Sequence, residues 1–189
     1  MMERTRAGML IFLSSEAVFF VILTLTYLFY RHSPANAGGP SPERSLDPPR
    51  TAVFTLFLLA SSGTMWFAGR CVRWRWPRML RASLLATVAL GAVFLFGQAK
   101  EYLRLIDAQT TISSNVFATS FFTLTGFHGL HVLVGLIMLS ILAGLAWAGD
   151  FRGPRSVAVE AVSLYWHFVD AVWVVIFTVV YLWTWVLAR

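Results

Sequence analysis

Residues 9–30 read MLIFLSSEAVFFVILTLTYLFY, 22 positions that are apolar apart from Ser, Thr and a single carboxylate, Glu16. At about 1.5 Å per residue this run makes a helix ~33 Å long, enough to cross a hydrocarbon core of ~30 Å. An ionisable group at such depth costs roughly 2.5–3.5 kcal/mol on insertion scales, so a chain that keeps one has a use for it. The stretch sets the fold class, a membrane-spanning helix, and poses the question of what Glu16 meets.

Four further apolar runs lie outward from it, at about 51–69, 82–98, 117–147 and 161–187. Together they predict an all-α integral membrane bundle of five transmembrane helices, one domain over 1–189. The whole-chain composition agrees. Of 189 residues 58% are hydrophobic and 13% charged, with a mean hydropathy of +0.69, whereas soluble domains run near 45–50% apolar and ~25% charged. A net charge of +6 does not indicate nucleic acid here, because the basic residues sit in short segments between the runs. That placement serves topology and anionic headgroups. Cys71 is the only cysteine, which excludes an internal disulfide and a thiolate cluster. Ala35-Asn36-Ala37 resembles a signal-cleavage site, but signal cores are ~7–15 residues long, so the first run is expected to be retained.

The connections differ. Residues 32–50 hold five prolines and the pair Gly38-Gly39, and residues 70–81 pack five Arg with Trp74 and Trp76 around a helix-breaking Pro77. Residues 100–115 are polar and mixed in charge, and 149–160 turn at Gly153-Pro154. Five spans place the termini on opposite sides. Arg4, Arg6, Arg70, Arg73, Arg75, Arg78, Arg81, Arg152 and Arg155 fall on the N-terminal side. Arg31, Arg44, Arg50, Lys100, Arg104 and Arg189 fall on the other. The excess puts the N-terminus and Cys71 in the cytoplasm and the C-terminus outside, with Trp74 and Trp76 facing Trp183 and Trp185 as interfacial belts.

Four more ionisable groups lie inside the runs. His128 and His131, at i,i+3, are expected on one helix face, flanked by Gly126, Gly129 and Gly135, whose missing side chains would admit another helix. His167 and Asp170, also at i,i+3, could satisfy each other locally. Glu101-Tyr102 is expected at the mouth of the third helix as solvated charge. Helix rise puts Glu16, His131 and Asp170 at depths that a bundle could bring together. Buried polar groups joining helices, a His-carboxylate metal site, and proton or ion conduction all remain open on these residues. The metal reading lacks the Glu-x-x-His motif on two helices. No phosphate loop, Ser/His/Asp set or CxxC pair is present.

Phe12-Leu13-Ser14-Ser15-Glu16-Ala17-Val18-Phe19-Phe20, Gln98 through Glu101-Tyr102, Thr123 through Gly126-Phe127-His128-Gly129-Leu130-His131, and Tyr165-Trp166-His167-Phe168-Val169-Asp170-Ala171-Val172-Trp173 resemble, in order, subunit III of haem–copper terminal oxidases. The resemblance implies an accessory chain with no catalytic residue, metal or haem of its own, haem and copper belonging to subunits I and II. It implies main contact with subunit I, membership of a complex with subunit II, phospholipids held in helical clefts, and support of proton uptake in a bacterial plasma membrane. The family's carbodiimide-reactive glutamate matches Glu16, and its associated histidine matches His131; a hydrogen bond between them is expected. Longer relatives have seven helices, the extra two preceding the position of Met9, so this resembles a five-helix bacterial form. Ser114 stands where relatives often have Asp, and Arg70 near a frequent His. A cytochrome c oxidase is expected, with a quinol oxidase or a nitric-oxide-reductase-associated homologue as the alternative. A free-standing channel or transporter is the alternative from another class, though no inverted repeat or Pro-broken span is visible.

Overall fold

The computed structural model describes residues 2–31, 33–36, 46–149 and 156–183. These form five long helices: α1 (Met2–Tyr30), α2 (Pro48–Trp74), α3 (Pro77–Asp107), α4 (Val116–Trp147) and α5 (Ser156–Phe177). A 3-10 turn, Pro34–Asn36, follows α1, and α5 continues into a π-helical segment, Thr178–Leu182. All five are long and apolar enough to cross a membrane, and no strand occurs among the described residues. The turn at Gly153-Pro154, residues 184–187 of the fifth expected run, Trp185, and Arg44, Arg152, Arg155 and Arg189 lie outside the described residues.

The helices extend past the apolar runs because hydropathy senses only the lipid-embedded stretch. Asp47 caps α2, accepting from the Arg50 N–H at 3.3 Å, and Pro48 and Pro49 occupy the first turn, where a missing N–H costs nothing. At its far end Arg75 adopts a left-handed conformation (φ 56°), and the N–H groups of Arg75 and Trp76 return to the carbonyls of Val72 and Cys71. The expected connection over 70–81 is therefore only a turn at Arg75-Trp76. Pro77 starts α3 rather than interrupting a loop. Likewise the expected polar connection from Lys100 is helical to Asp107. α4 is capped twice: Asn115 accepts from Ala118 N at 2.8 Å, and Asn36, from the turn after α1, accepts from Phe117 N at 3.0 Å.

Helices α2, α3, α4 and α5 pack in a closed ring, each against the next and α5 back on α2, while α1 lies outside against α4 and α5. Its outward face, including Ile11, Val18, Val21, Ile22, Leu25 and Phe29, is exposed. Lipid is as apolar as these side chains, so the ring is held by close packing and interhelical hydrogen bonds rather than by water exclusion. Its centre is aromatic. Trp166, Trp173, Phe94, Phe121 and Tyr181 are all fully buried. The Trp166 indole is clamped between two glycines: a Cβ added at Gly91 of α3 would lie 2.7 Å from it, and one at Gly135 of α4 2.8 Å. A Cβ at Gly97 would overlap the Phe54 ring of α2.

Candidate functional site

Glu16 finds its partner on the outer helix seam. Its Oε2 lies 3.0 Å from His131 Nε2, joining α1 to α4. His131 Nδ1 sits 2.7 Å from the Phe127 carbonyl, which only accepts, so Nδ1 carries a hydrogen. The Nε2···Oε2 contact then holds one shared proton, whichever side bears it. Tyr165 of α5 donates to the His131 carbonyl at 3.1 Å, and the Phe20 ring packs edge-on against the imidazole at 5.0 Å. Interhelical hydrogen bonds in membranes average about 0.6 kcal/mol and reach about 1.7. A double-mutant cycle of Glu16→Ala and His131→Ala, read from detergent-driven unfolding, is expected to give a coupling of about 1 kcal/mol. Additive single effects would show that the contact contributes nothing.

A second seam runs between α2 and α5, and the sequence reading missed it. Thr55 accepts from Trp173 Nε1 at 3.0 Å, Ser61 from Trp166 Nε1 at 3.0 Å, and Ser62 lies 2.7 Å from His167 Nδ1. Trp166, His167 and Trp173 of α5 thus each meet a hydroxyl of α2. The expected His167–Asp170 pair is not formed, because His167 points to Ser62. Asp170 is buried beside the Ser62 hydroxyl, and neither of its carboxylate oxygens accepts a hydrogen bond among the described residues.

The third cluster closes the end of the bundle opposite the arginine-rich turn. The expectation of solvated charge at Glu101 is wrong: it is only 6% exposed. Its Oε2 accepts from Thr51 of α2 and from Tyr181 of the π segment, each at 3.0 Å. Arg104 reaches Glu101 Oε1 at 3.5 Å and Asp47 at 3.4 Å. Tyr102 and Thr125 hydroxyls meet at 2.7 Å, tying α3 to α4, and Gln98 is buried beside them. Glu101 therefore fastens three helices where hydropathy reads only a helix mouth.

His128 and His131 part company despite their spacing. His128 is fully buried, stacked on Trp173 at 4.9 Å, with both ring nitrogens lacking a hydrogen bond. Of the three flanking glycines only Gly135 receives a neighbour closely. A Cβ at Gly126 would make ordinary contact and one at Gly129 would barely touch Leu95, so neither admits a helix as expected. Gly126→Ala and Gly129→Ala are accordingly expected not to destabilise, and to gain up to about 1 kcal/mol from helix propensity, measured by the same unfolding assay. Glu16 and Asp170 sit on separate seams. No three His, Cys, Asp or Glu side chains converge as a ligand set among the described residues.

A helical, multi-pass membrane protein whose ionisable groups are spent on seams between helices is the class that this architecture defines. Within it, the chain belongs to the cytochrome c oxidase subunit III family, whose family model matches residues 1–185. It is similar to cytochrome c oxidase subunit 3 of Synechocystis sp., 40% identical over 177 residues that cover 93% of this chain and 74% of the relative. The probable cytochrome c oxidase subunit 3 of Mycobacterium tuberculosis is 38% identical over 176 residues, covering 92% and 85%. Cytochrome c oxidase subunit 3 of Lumbricus terrestris is 34% identical over 189 residues, covering 94% and 70%. The chain is thus a subunit III of the haem–copper oxidase type, part of a multi-subunit membrane complex.

Proposed function

We propose that this chain is the redox-centre-free accessory subunit of a proton-pumping cytochrome c oxidase that reduces dioxygen to water in a bacterial plasma membrane. It would pack mainly on subunit I, in a complex with subunit II, and carry structural phospholipids while supporting proton uptake by its neighbour. The N-terminus and the Arg75-Trp76 turn would face the cytoplasm. The observation that carries this reading is the destination of the polar groups: Glu16, His131, His167 and Glu101 each bond a side chain on another helix. That favours a scaffold over a reaction centre. Cytochrome c as donor follows the relatives' names; a quinol oxidase would use the same scaffold.

The test is purification in a gentle detergent. Migration with a haem-containing partner, and oxygen consumption driven by reduced cytochrome c, are the expected results. A stable haem-free homo-oligomer that conducts ions would overturn the reading. Within an assembled complex, Glu16→Ala is expected to leave initial oxygen reduction largely intact while shortening the life of the complex during turnover. Immediate and complete loss of activity would contradict an accessory role.

A further inference from the structure

The arginine-rich turn between α2 and α3 has no counterpart among the seams described above. Arg73, Arg75 and Arg78 are exposed there, and no salt bridge holds them among the described residues. No acidic residue occurs anywhere between Asp47 and Glu101, so neither helix of the hairpin offers them a carboxylate nearer than its far end. Arg81 is committed elsewhere, donating to the Ala146 carbonyl at 3.0 Å at the end of α4. Arg70 lies over the Trp66 ring at 3.7 Å, which holds its charge beside an exposed indole. Trp74 and Trp76 flank the turn with ring centroids 5.0 Å apart, each about half exposed. Both helices of this hairpin are membrane spans. The turn therefore places unpaired guanidinium groups and amphipathic aromatic rings in the layer where lipid headgroups lie.

We propose that this turn is a binding surface for anionic phospholipid, with Arg73, Arg75 and Arg78 meeting headgroup phosphates and Trp74 and Trp76 seated at the acyl boundary. The proposal rests on the membrane reading of the chain but not on the identity of its oxidase. Guanidinium forks suit phosphate bidentately, and indole rings prefer the interface. Each arginine near an anionic leaflet favours association by a factor of about five, and the effect fades within a Debye length. Arg73, Arg75 and Arg78 fall within six residues around the left-handed Arg75, which gathers the three charges at one turn.

The experiment uses the intact purified complex, exchanged into nanodiscs of phosphatidylcholine containing a minor fraction of phosphatidylglycerol. After return to mild detergent, retained lipid is counted by native mass spectrometry. The wild-type complex is expected to retain phosphatidylglycerol well above its share of the disc, less so at high salt. Joint replacement Arg73→Gln, Arg75→Gln, Arg78→Gln is expected to abolish that enrichment, three factors of about five compounding to roughly a hundred-fold, and the matching triple Lys variant to keep most of it. Glycerol phosphate in solution is expected not to compete; full competition would show a free-anion site and overturn the lipid assignment. Equal enrichment in wild type and the Gln variant would overturn the proposal, as would loss of another protein subunit from the variant with its lipid unchanged. If the triple variant fails to insert, Arg75→Gln alone, in the turn itself, is expected to lose about five-fold, and no loss there counts against the proposal. A chain recovered without haem would refute the oxidase reading while leaving the lipid ratio to judge the turn.

Discussion

Glu101→Leu is expected to destabilise the folded chain by about 3 kcal/mol, because it leaves Thr51, Tyr181 and Arg104 without their shared acceptor in a buried site. Leucine fills similar space, so the loss is one of bonding rather than of packing. Glu101→Gln retains one oxygen for the two hydroxyls but turns an amide N–H toward a guanidinium, and about half that loss is expected. Detergent-driven unfolding gives the magnitude, and the temperature at which the chain leaves its complex gives the same ranking. A Glu101→Leu protein as stable as the wild type would mean that the three helices are fastened by something else. The Thr51→Val variant provides a check from the other side of the bond, with an expected cost of about 1 kcal/mol.

Trp166 supplies the second large effect. Trp166→Ala is expected to cost about 3–5 kcal/mol, since it empties the centre of the ring and removes the donor to Ser61. The clamp makes a sharper prediction. Gly135→Val is expected to cost about 2–3 kcal/mol by forcing α4 off the indole, and Gly91→Val a similar amount from α3. With Trp166→Leu already in place, either valine is expected to cost less, because the indole atoms it would strike are gone and only Leu136 at Gly91 and Tyr165 at Gly135 still crowd it. Residues in contact couple in this way and distant ones do not. If the valine penalty is the same in both backgrounds, the indole clamp does not explain the glycines, and helix propensity cannot, since valine is the better helix former.

The number and order of the helices were legible because the bilayer imposes one requirement on every span, about twenty apolar residues, and Met9 to Tyr30 meets it openly. The helix ends were not, since Asp47, Arg75 and Asp107 act outside the lipid where hydropathy carries no signal. Glu16 and His131 could be paired on a family resemblance. The hydroxyls of Thr55, Ser61 and Ser62 could not be picked out, because Ser and Thr in a membrane helix bond their own backbone by default. Thr55 bonds Thr51 O and Ser61 bonds Leu58 O in just that way. Only the aromatic donors of α5 opposite them reveal a second role. Gly91 and Gly97 escaped notice for a related reason. Glycine is common in membrane helices, and what distinguishes these two is Trp166 and Phe54 across the seam. For Glu101 the error was one of depth: its position near a helix mouth suggested water, while Tyr181 from the π segment covers it.

The placement of α1 outside the ring bears on how the chain is made. α1 leaves the ribosome before the two helices it rests on, α4 and α5, and 115 residues separate Glu16 from His131. At roughly 5–20 residues per second, that interval lasts about 6–23 s. For that time the nascent first helix stands in or beside the bilayer with its carboxylate unanswered. The carboxylate meets its partner only when α4 arrives, so a His131 substitution, which removes that partner, is expected to lower assembly yield as well as the stability of the finished fold.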